Sequence, residues 1–588
     1  MQARYASLAR CFTQALGVVA LMLPSGARAQ QVDPLFGGDD GRQLLLEGQQ
    51  DIQPWQEYDK KIRSAEHVGS LSYGLMGDQI NGYDQSTSFR HVDIDIPGSN
   101  GLAVTLARRL VVRPIPAVGM PPQRYAGAGD WDIDVPYISG VFDSAYGWNT
   151  GAAGSTGRCS TLFYPKSLPP SRIEEIWSGY TVNIPGGRAR SLLGAPASQF
   201  VKPDAAVRLW TTSSMDTLSC TPMLSGYAGE GFILETTDGT KYYFDVGTTR
   251  TAGTIRSATK SRARVEVYLL ASRIEDRFGN RVSYTYNANG HPTSIVGSDG
   301  RRITLTYNGN QLVSGSAHGK TWTYGYSGAL LDRVTLPDAT SWRFTHLSDM
   351  RIAYERWTED PGAGCSVLPP LTAKDYALKI QHPSGAWGTF RFEHKRNFRT
   401  GIPSTFCQAE SANGIVTHYL GVPFHFDTLS LASKTIEGVG VAAPMSWRYV
   451  DDGGSSDGLW SGTVPPCLSC PASKSVAILQ PNGSTTVEKY GIVYAMNEGK
   501  LLATTVTDSS GVRRTEVLSY VSDAEMEGQP FPDQYGALWG GNDVSAAKIR
   551  PVRSTIVTQD GASFQNVVET FDSRGRPTRV RRSSKPGP

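Results

Sequence analysis

The sequence predicts an all-β fold, a β-repeat shell or solenoid preceded by an N-terminal β region. Three observations lead there. One glycine followed by apolar residues three, five and seven positions later recurs: Gly279 with Val282, Tyr284 and Tyr286; Gly300 with Ile303, Leu305 and Tyr307; Gly319 with Trp322, Tyr324 and Tyr326. A spacing of two puts the three apolar side chains on one face of a strand, and the glycine supplies a turn conformation that other residues resist. Glycine (63 residues) and proline (35) are frequent and few segments have helical periodicity, which fits many short strands joined by turns. Repetition of such a unit means stacked or coiled strands rather than a single catalytic domain.

The elements follow in order. Residues 1–29 read as a secretory signal: Arg4 and Arg10 precede the apolar stretch Ala15 to Leu23, and Ala27-Arg28-Ala29 places cleavage after Ala29. That stretch is too short for a bilayer anchor, and no other transmembrane segment is visible. The expected location is periplasmic, cell-surface or secreted. Residues 30–85 are a polar, irregular lead-in. Residues 86–225 form the N-terminal β region, with strands expected at Phe89 to Ile96, Leu102 to Val112 and Trp131 to Tyr137, a glycine-rich loop at Gly147 to Gly157, and one or two helical turns at Ser171 to Trp177. Residues 226–350 carry the clear repeats. Residues 351–480 are rich in cysteine and proline, and residues 481–588 return to repeat-like strands and a basic tail, Arg579 to Lys585. Looser copies begin at Gly239, Gly385, Gly483 and Gly561, and Ala339 stands where the glycine is expected before Trp342 and Phe344.

Two stretches carry a family resemblance. Phe571-Asp572-Ser573-Arg574-Gly575-Arg576, and Tyr286-Asn287-Ala288-Asn289-Gly290-His291 in variant form, resemble the Tyr-Asp-x-x-Gly-Arg core of the YD, or Rhs, repeats. Asp93 to Leu102 resembles the strand-Pro-Gly-strand opening of Rhs-type chains. The resemblance implies repeats that spiral into a hollow β-shell, which encloses a C-terminal toxin or presents itself at the cell surface. It implies a structural, non-enzymatic role in display, binding or encapsulation, as the front part of a polymorphic toxin system. The partners expected are a cell-surface glycan or a downstream Rhs/toxin polypeptide, with no cofactor. The family's self-cleavage motif, Asp-Pro-x-Gly late in the chain, is not matched by Asp33-Pro34-Leu35-Phe36-Gly37.

Net charge is +3, near balance for 588 residues, without the basic face of a nucleic-acid-binding protein. Export leaves six cysteines in an oxidising compartment: Cys159, Cys220, Cys365, Cys407, Cys467 and Cys470. Six allow about 15 connectivities, of which sequential pairing is the simplest. Cys467-Leu468-Ser469-Cys470 has the spacing of a redox dithiol or half a zinc site, but the prolines around it make a loop and no second ligand pair lies nearby. Asp130-Trp131-Asp132-Ile133-Asp134-Val135 and His91 to Ile96 alternate acids or histidine with apolar residues, which reads as half-buried strands with an acidic face rather than calcium loops. Gly147 to Gly157 lacks the Lys-Ser/Thr end of a P-loop. Catalytic and metal residues are therefore expected to be none. The aromatics of the repeats are expected to pack between strands rather than form a sugar-stacking surface. The alternatives are a secreted glycan- or peptide-cleaving enzyme on a β scaffold, marked by two carboxylates or a Ser/Cys–His pair in one pocket, and a carbohydrate-binding module, marked by coplanar exposed aromatics.

Overall fold

The computed structural model describes most of residues 74–585; residues 1–73, 99, 113–114, 117–126, 151–155, 169–175, 178, 188, 195–207, 213, 257–260, 349–350, 353–370, 372–374, 413–414, 421–423, 457, 461–470, 495, 536–546 and 586–588 lie outside the description. The segment expected to be a signal, Ala29, Cys365, Cys467, Cys470 and residues 171–175 of the turn expected at Ser171 to Trp177 fall there.

The described chain is all-β and has three parts. An inner sheet of order β1-β2-β3-β6-β5 comprises β1 (Asp78–Ile80), β2 (Thr87–Ile96), β3 (Val104–Val111), β5 (Gly127–Ala128) and β6 (Trp131–Ile133), while β4 (Ile115–Pro116) pairs in parallel with Arg351–Ile352. A closed ring follows: β7 (Tyr137–Asp143), β8 (Tyr180–Asn183), β9 (Arg190–Gly194), β10 (Trp210–Thr212), β11 (Thr217–Pro222), β12 (Glu230–Glu235), β13 (Lys241–Arg256) and β14 (Ser261–Glu275) pair antiparallel in sequence, and β14 closes onto β7. The ring draws strands from both sides of residue 225. From β14 a long antiparallel meander continues through β15 (Arg281–Tyr286), β16 (Pro292–Gly297), β17 (Arg302–Asn308), β18 (Gln311–Ala317), β19 (Lys320–Ser327), β20 (Leu330–Thr335) and β21 (Ser341–His346), and on to Pro577–Lys585. The run Arg579 to Lys585, expected as a tail, is this last strand, paired along its length with Ala562–Phe571.

Strand β14 is the wall between two cores. Val267, Leu269 and Ala271 face the ring interior, and Tyr268 and Leu270 face the large core shared with the inner sheet. Both faces are buried over this stretch, and Val267 to Ala271 is an unbroken apolar run rather than an alternation. The ring is filled by its own aromatics: Trp148 stacks on Tyr180 at 4.7 Å, and Trp210 meets Tyr180 edge-on at 5.6 Å. Cys159 and Cys220 are joined by a disulfide at the edge of this core. Trp131 to Tyr137, expected as one strand, is divided between two sheets: β6 ends at Ile133, Asp134-Val135-Pro136 crosses over, and β7 begins at Tyr137. Pro136 offers no backbone donor for a continuous ladder.

The meander lays its apolar face over the inner sheet. Phe89, Leu106 and Trp131 of the inner sheet share one core with Val282, Ile303, Leu331, Phe344 and Phe390 of the meander. Polar pins cross that interface. Lys434 donates to both carboxylate oxygens of Asp78, at 3.0 and 2.7 Å, with both side chains fully buried. Tyr324 donates to Asp93, which also accepts from buried Arg108. Arg301 donates to the carbonyls of Ile96 and Leu102. Asp130 accepts from the Leu331 amide at 2.8 Å and lies 3.1 Å from His346 Nε2.

The acidic face expected on β2 is corrected by a bulge. The register shifts between Val92 and Ile94, leaving Asp93 unpaired in the ladder. The extra residue resets the alternation, so His91, Asp93, Ile94 and Ile96 are all buried and Val92 is exposed. Arg108 Nη2 lies 3.0 Å from His91 Nδ1, and His91 Nε2 lies 2.7 Å from the Met76 carbonyl. Guanidinium only donates, so Nδ1 accepts and the Nε2 proton goes to Met76. Burial, then the Arg108 charge, holds this histidine far below its usual range, hence neutral.

The repeat is physically a turn plus a clasp. In the five-residue turns 236–240, 276–280, 287–291, 297–301, 336–340, 382–386, 480–484 and 572–576, the fourth amide donates to the first carbonyl and the first amide to the fifth carbonyl. The fourth position has positive φ, +89° at Gly300 and +68° even at Ala339. In the two family-like copies the first residue is Asn287 or Asp572, whose side chain accepts from the amides two and four residues on. The aromatic residue just before it sits on a bulge: Tyr286 opposite Pro292, and Phe571 opposite Pro577. Tyr307 and Tyr326 occupy equivalent bulges opposite Leu312 and Leu331. Each hydroxyl reaches back across the sheet: Tyr286 to the Ala271 carbonyl, Tyr307 to Pro292, Tyr326 to Leu312, at 2.7 to 2.8 Å. Each clasp thus grips the residue opposite the preceding bulge. The tyrosines lie in β15, β17 and β19, every second strand, and are linked by hydroxyls rather than by the ring-on-ring stacking of adjacent strands.

Candidate functional site

An antiparallel meander places successive connections at opposite ends of its strands. At one end, the turn rim, from β14 onward, all connections are short: 276–280, 298–301, 318–319, 336–340, 382–386, 438–444, 480–484, 509–510 and 560–561. At the other end, the loop rim, the first three are equally short, then come excursions at 347–374, 399–424, 452–472, 492–500 and 521–551, and the last connection, 572–576, is short again. Excursions of that length in a compact fold are where function concentrates.

Three of the excursions are knitted together. Ile402–Pro403 pairs in parallel with Leu459–Trp460. The Thr400 amide donates to the Ile492 carbonyl, and the Tyr494 amide to the Thr400 carbonyl. Ile402 and Phe424, both buried, pack with Phe398, Leu459 and Tyr494. Arg399 donates to Glu498 at 2.7 Å, and Arg396 holds Asp427 with two bonds of 2.9 and 3.0 Å. Beneath them Lys474, fully buried, donates to Asp451 at 2.9 Å and Asn397 at 2.6 Å and lies 4.5 Å from the centre of the Tyr83 ring. Burial pushes the Lys474 ammonium below its ordinary range, opposed by Asp451. Beside the next excursion, Lys500 is pushed down to about 8 by burial and by the Arg550 charge. A hairpin, Cys407–Ala412 with Ile415–Leu420, projects from the first knitted excursion and exposes Val416. Cys407 is disulfide-bonded.

The residues singled out by sequence lie elsewhere. Gly279, Gly300 and Gly319 occupy the turn rim. Tyr284, Tyr286, Tyr307, Trp322 and Tyr326 are partly buried against the large core and Tyr324 is fully buried, so the aromatics face inward. The acids of 130–134 are held by protein groups: Asp134 accepts from Arg90 at 2.7 Å and Asn183 at 3.3 Å, in addition to the Asp130 contacts above. Part of the glycine-rich loop is folded into the ring, where the Trp148 amide donates to the Tyr227 hydroxyl. Among the described residues no group of three or more His, Cys, Asp or Glu is placed to hold a metal, and no helix is long and apolar enough to cross a membrane. The loop rim was missed because no motif marks it; its only trace was the shift to cysteine and proline over 351–480.

No protein-family model and no curated protein matches the chain. Solved structures found similar include a Photorhabdus luminescens Tc holotoxin pore with a TccC3 mutation, at 8% identity over 85% of this chain and 22% of that one, TM-score 0.18. A TcdB2-TccC3-Cdc42 structure gives 8% identity over 82% of this chain and 23% of that one, TM-score 0.18. The chain spans less than a quarter of the length of either.

Proposed function

We propose that this chain is an exported, non-enzymatic scaffold of YD/Rhs type that presents its loop rim as a recognition face for a cell-surface glycan or a toxin polypeptide. The β-shell is the rigid part: ring, meander and inner sheet are joined by shared cores and buried ion pairs. The observation that carries the reading is the asymmetry of the rims, with long excursions confined to one end of the sheet and tied to each other there. Rigidly supported loops are the usual carriers of binding on β scaffolds. The two Tyr-Asp-type turns, each closed by an amide or carboxylate side chain, and the hydroxyl clasps of Tyr286, Tyr307 and Tyr326 support the repeat reading.

The test is binding of the labelled mature protein to bacterial cells and to a glycan array. Replacing 404–421 by a short Gly-Ser turn should abolish binding, with the melting transition of the rest retained. Replacing 438–444 on the turn rim in the same way should leave binding intact. Binding that survives the first change and fails with the second refutes the reading, and glycan or peptide cleavage by the wild-type protein would favour the enzyme alternative.

A further inference from the structure

We propose that the outer face of the meander holds, at Arg333 and Arg343, a site for the carboxylate groups of an acidic polysaccharide built from uronic acids. The site is separate from the loop-rim excursions and does not depend on that reading. Arg333 of β20 and Arg343 of β21 stand directly opposite each other in the ladder. Their chain neighbours Val334, Trp342 and Phe344 face the large core, so both guanidinium groups point to solvent, and both residues are exposed. Like charges set directly opposite on a sheet oppose pairing, and neither arginine makes an ion pair among the described residues. Two carboxylates lie close in the chain. Asp332, the extra residue where the register passes from Leu331 to Arg333, is exposed and makes no ion pair among the described residues. Asp338, at the tip of the turn, accepts from the amide and hydroxyl of Thr340.

Further along the same row a cation is satisfied by the protein itself. From Arg343 the row continues directly through Gln381, Trp387 and Glu437, on the strands Asp375–Gln381, Trp387–Phe398 and His425–Glu437. There Lys379 lies over the Trp387 ring, 4.7 Å from its centre, and 3.6 Å from Glu437. That end of the row is closed by its own charges. The other end is open: Gly325 of β19 stands opposite Arg333, and a Cβ there would meet only the Arg333 Cβ, at 3.8 Å. The adjacent row is made of hydroxyls, Thr323, Thr335 and Ser341 across the same three strands, and Thr345 lies on the far side of Arg343. A carboxylate between two opposed guanidinium groups replaces their repulsion by charge-assisted, bidentate hydrogen bonds. The hydroxyl row and the Gln381 amide are left for the hydroxyls of a sugar. Single-stranded nucleic acid takes much of its affinity from stacking on aromatic faces, but here the Trp387 ring is occupied by Lys379 and the hydroxyl row offers no aromatic. An acidic peptide would lay its apolar side chains on hydroxyls.

The probe is a galacturonic acid tetramer, titrated into the full-length protein at low salt and read by calorimetry. Controls are a galactose tetramer of the same linkage, an oligothymidylate, and a Glu-Gly-Ser peptide of the same charge as the probe. The galacturonate should bind about tenfold or more tighter than each control. Arg333→Gln with Arg343→Gln should weaken it about tenfold or more, while the melting temperature stays the same or rises, because a like-charge pair has been removed. Arg343→Lys, which keeps the charge and loses the fork, should weaken it several-fold. Gly325→Gln keeps both cations and fills the open place beside them, so it should also weaken binding and carries the test if the double variant does not fold. An unwalled strip binds a short oligosaccharide weakly, so the titration runs to millimolar ligand, beyond what survives the washes of a cell or array assay. Replacing 404–421 should leave this binding intact, which separates its failure from that of the loop-rim reading. Three results would each overturn the proposal: no preference for galacturonate over the galactose tetramer, including no binding of either; equal or tighter binding of the oligothymidylate or the peptide, which makes the row a general anion patch; or undiminished binding by the double variant or, where that does not fold, by Gly325→Gln.

Discussion

The two rims of the meander are made from the same strands by different physics. On the turn rim each connection is specified locally, by a positive-φ residue and backbone hydrogen bonds within five residues. On the loop rim the knitted excursions hold their shape through contacts between segments far apart in sequence, such as Arg399 with Glu498 and the Thr400 amide with the Ile492 carbonyl. A turn-rim substitution should therefore cost backbone strain alone, and a loop-rim substitution should cost burial.

The largest expected effect is at Lys474. Lys474→Ala leaves Asp451 buried without its cation, and chemical denaturation should show a loss of about 3–5 kcal/mol. Lys474→Met combined with Asp451→Leu should recover most of it; failure to recover would mean that the pair has a role beyond mutual neutralisation. Next is Tyr307, whose ring packs on the large core and whose hydroxyl clasps Pro292. Tyr307→Ala should cost about 3 kcal/mol and Tyr307→Phe about 1 kcal/mol, so equal costs would deny the clasp.

Lys500 supplies a pH signature for the loop rim. Its folded-state value of about 8 lies below the ordinary 10.5, so between those values the unfolded chain binds the extra proton and stability rises with pH. The melting temperature of the wild type relative to Lys500→Met should climb from pH 8 toward 10; a flat difference would show that the ammonium is not desolvated.

Turn-rim effects are smaller. A Cβ on Gly300 would meet nothing within 4 Å, so Gly300→Val tests φ alone and should cost about 1–2 kcal/mol. Ala339 already bears that strain at φ +68°, and Ala339→Gly should raise stability by about 0.5–1 kcal/mol, read from the denaturation midpoint. A loss there would mean that the turn tolerates Cβ without penalty.

Much of the turn rim was legible in the sequence, because its determinants are local. The spacing from Gly279 to Tyr286 fixes both a turn and the buried face of a strand, and the missing glycine at 339 is visible as a departure from it. The closed ring was not legible. Its closure pairs Tyr137 to Asp143 with Arg264 to Leu270, more than a hundred residues away, and nothing local marks that register. The burial of His91 and Asp93 was misread because one bulge inverts the phase of a strand, and a bulge leaves no trace in an alternating pattern. The basic run at the C-terminus looked like a solvated tail because Arg and Ser carry no apolar alternation; its pairing is supplied by the neighbouring strand. The loop rim was visible only as composition, since its order arises from contacts between excursions.

The most direct test of the rim asymmetry is site-specific photocrosslinking on target cells. A benzoylphenylalanine at Val416, on the loop rim, and one at Val439, on the turn rim, both replace exposed side chains. The prediction is a crosslinked adduct from position 416 and none from 439. An adduct from 439 alone would contradict the assignment of recognition to the loop rim.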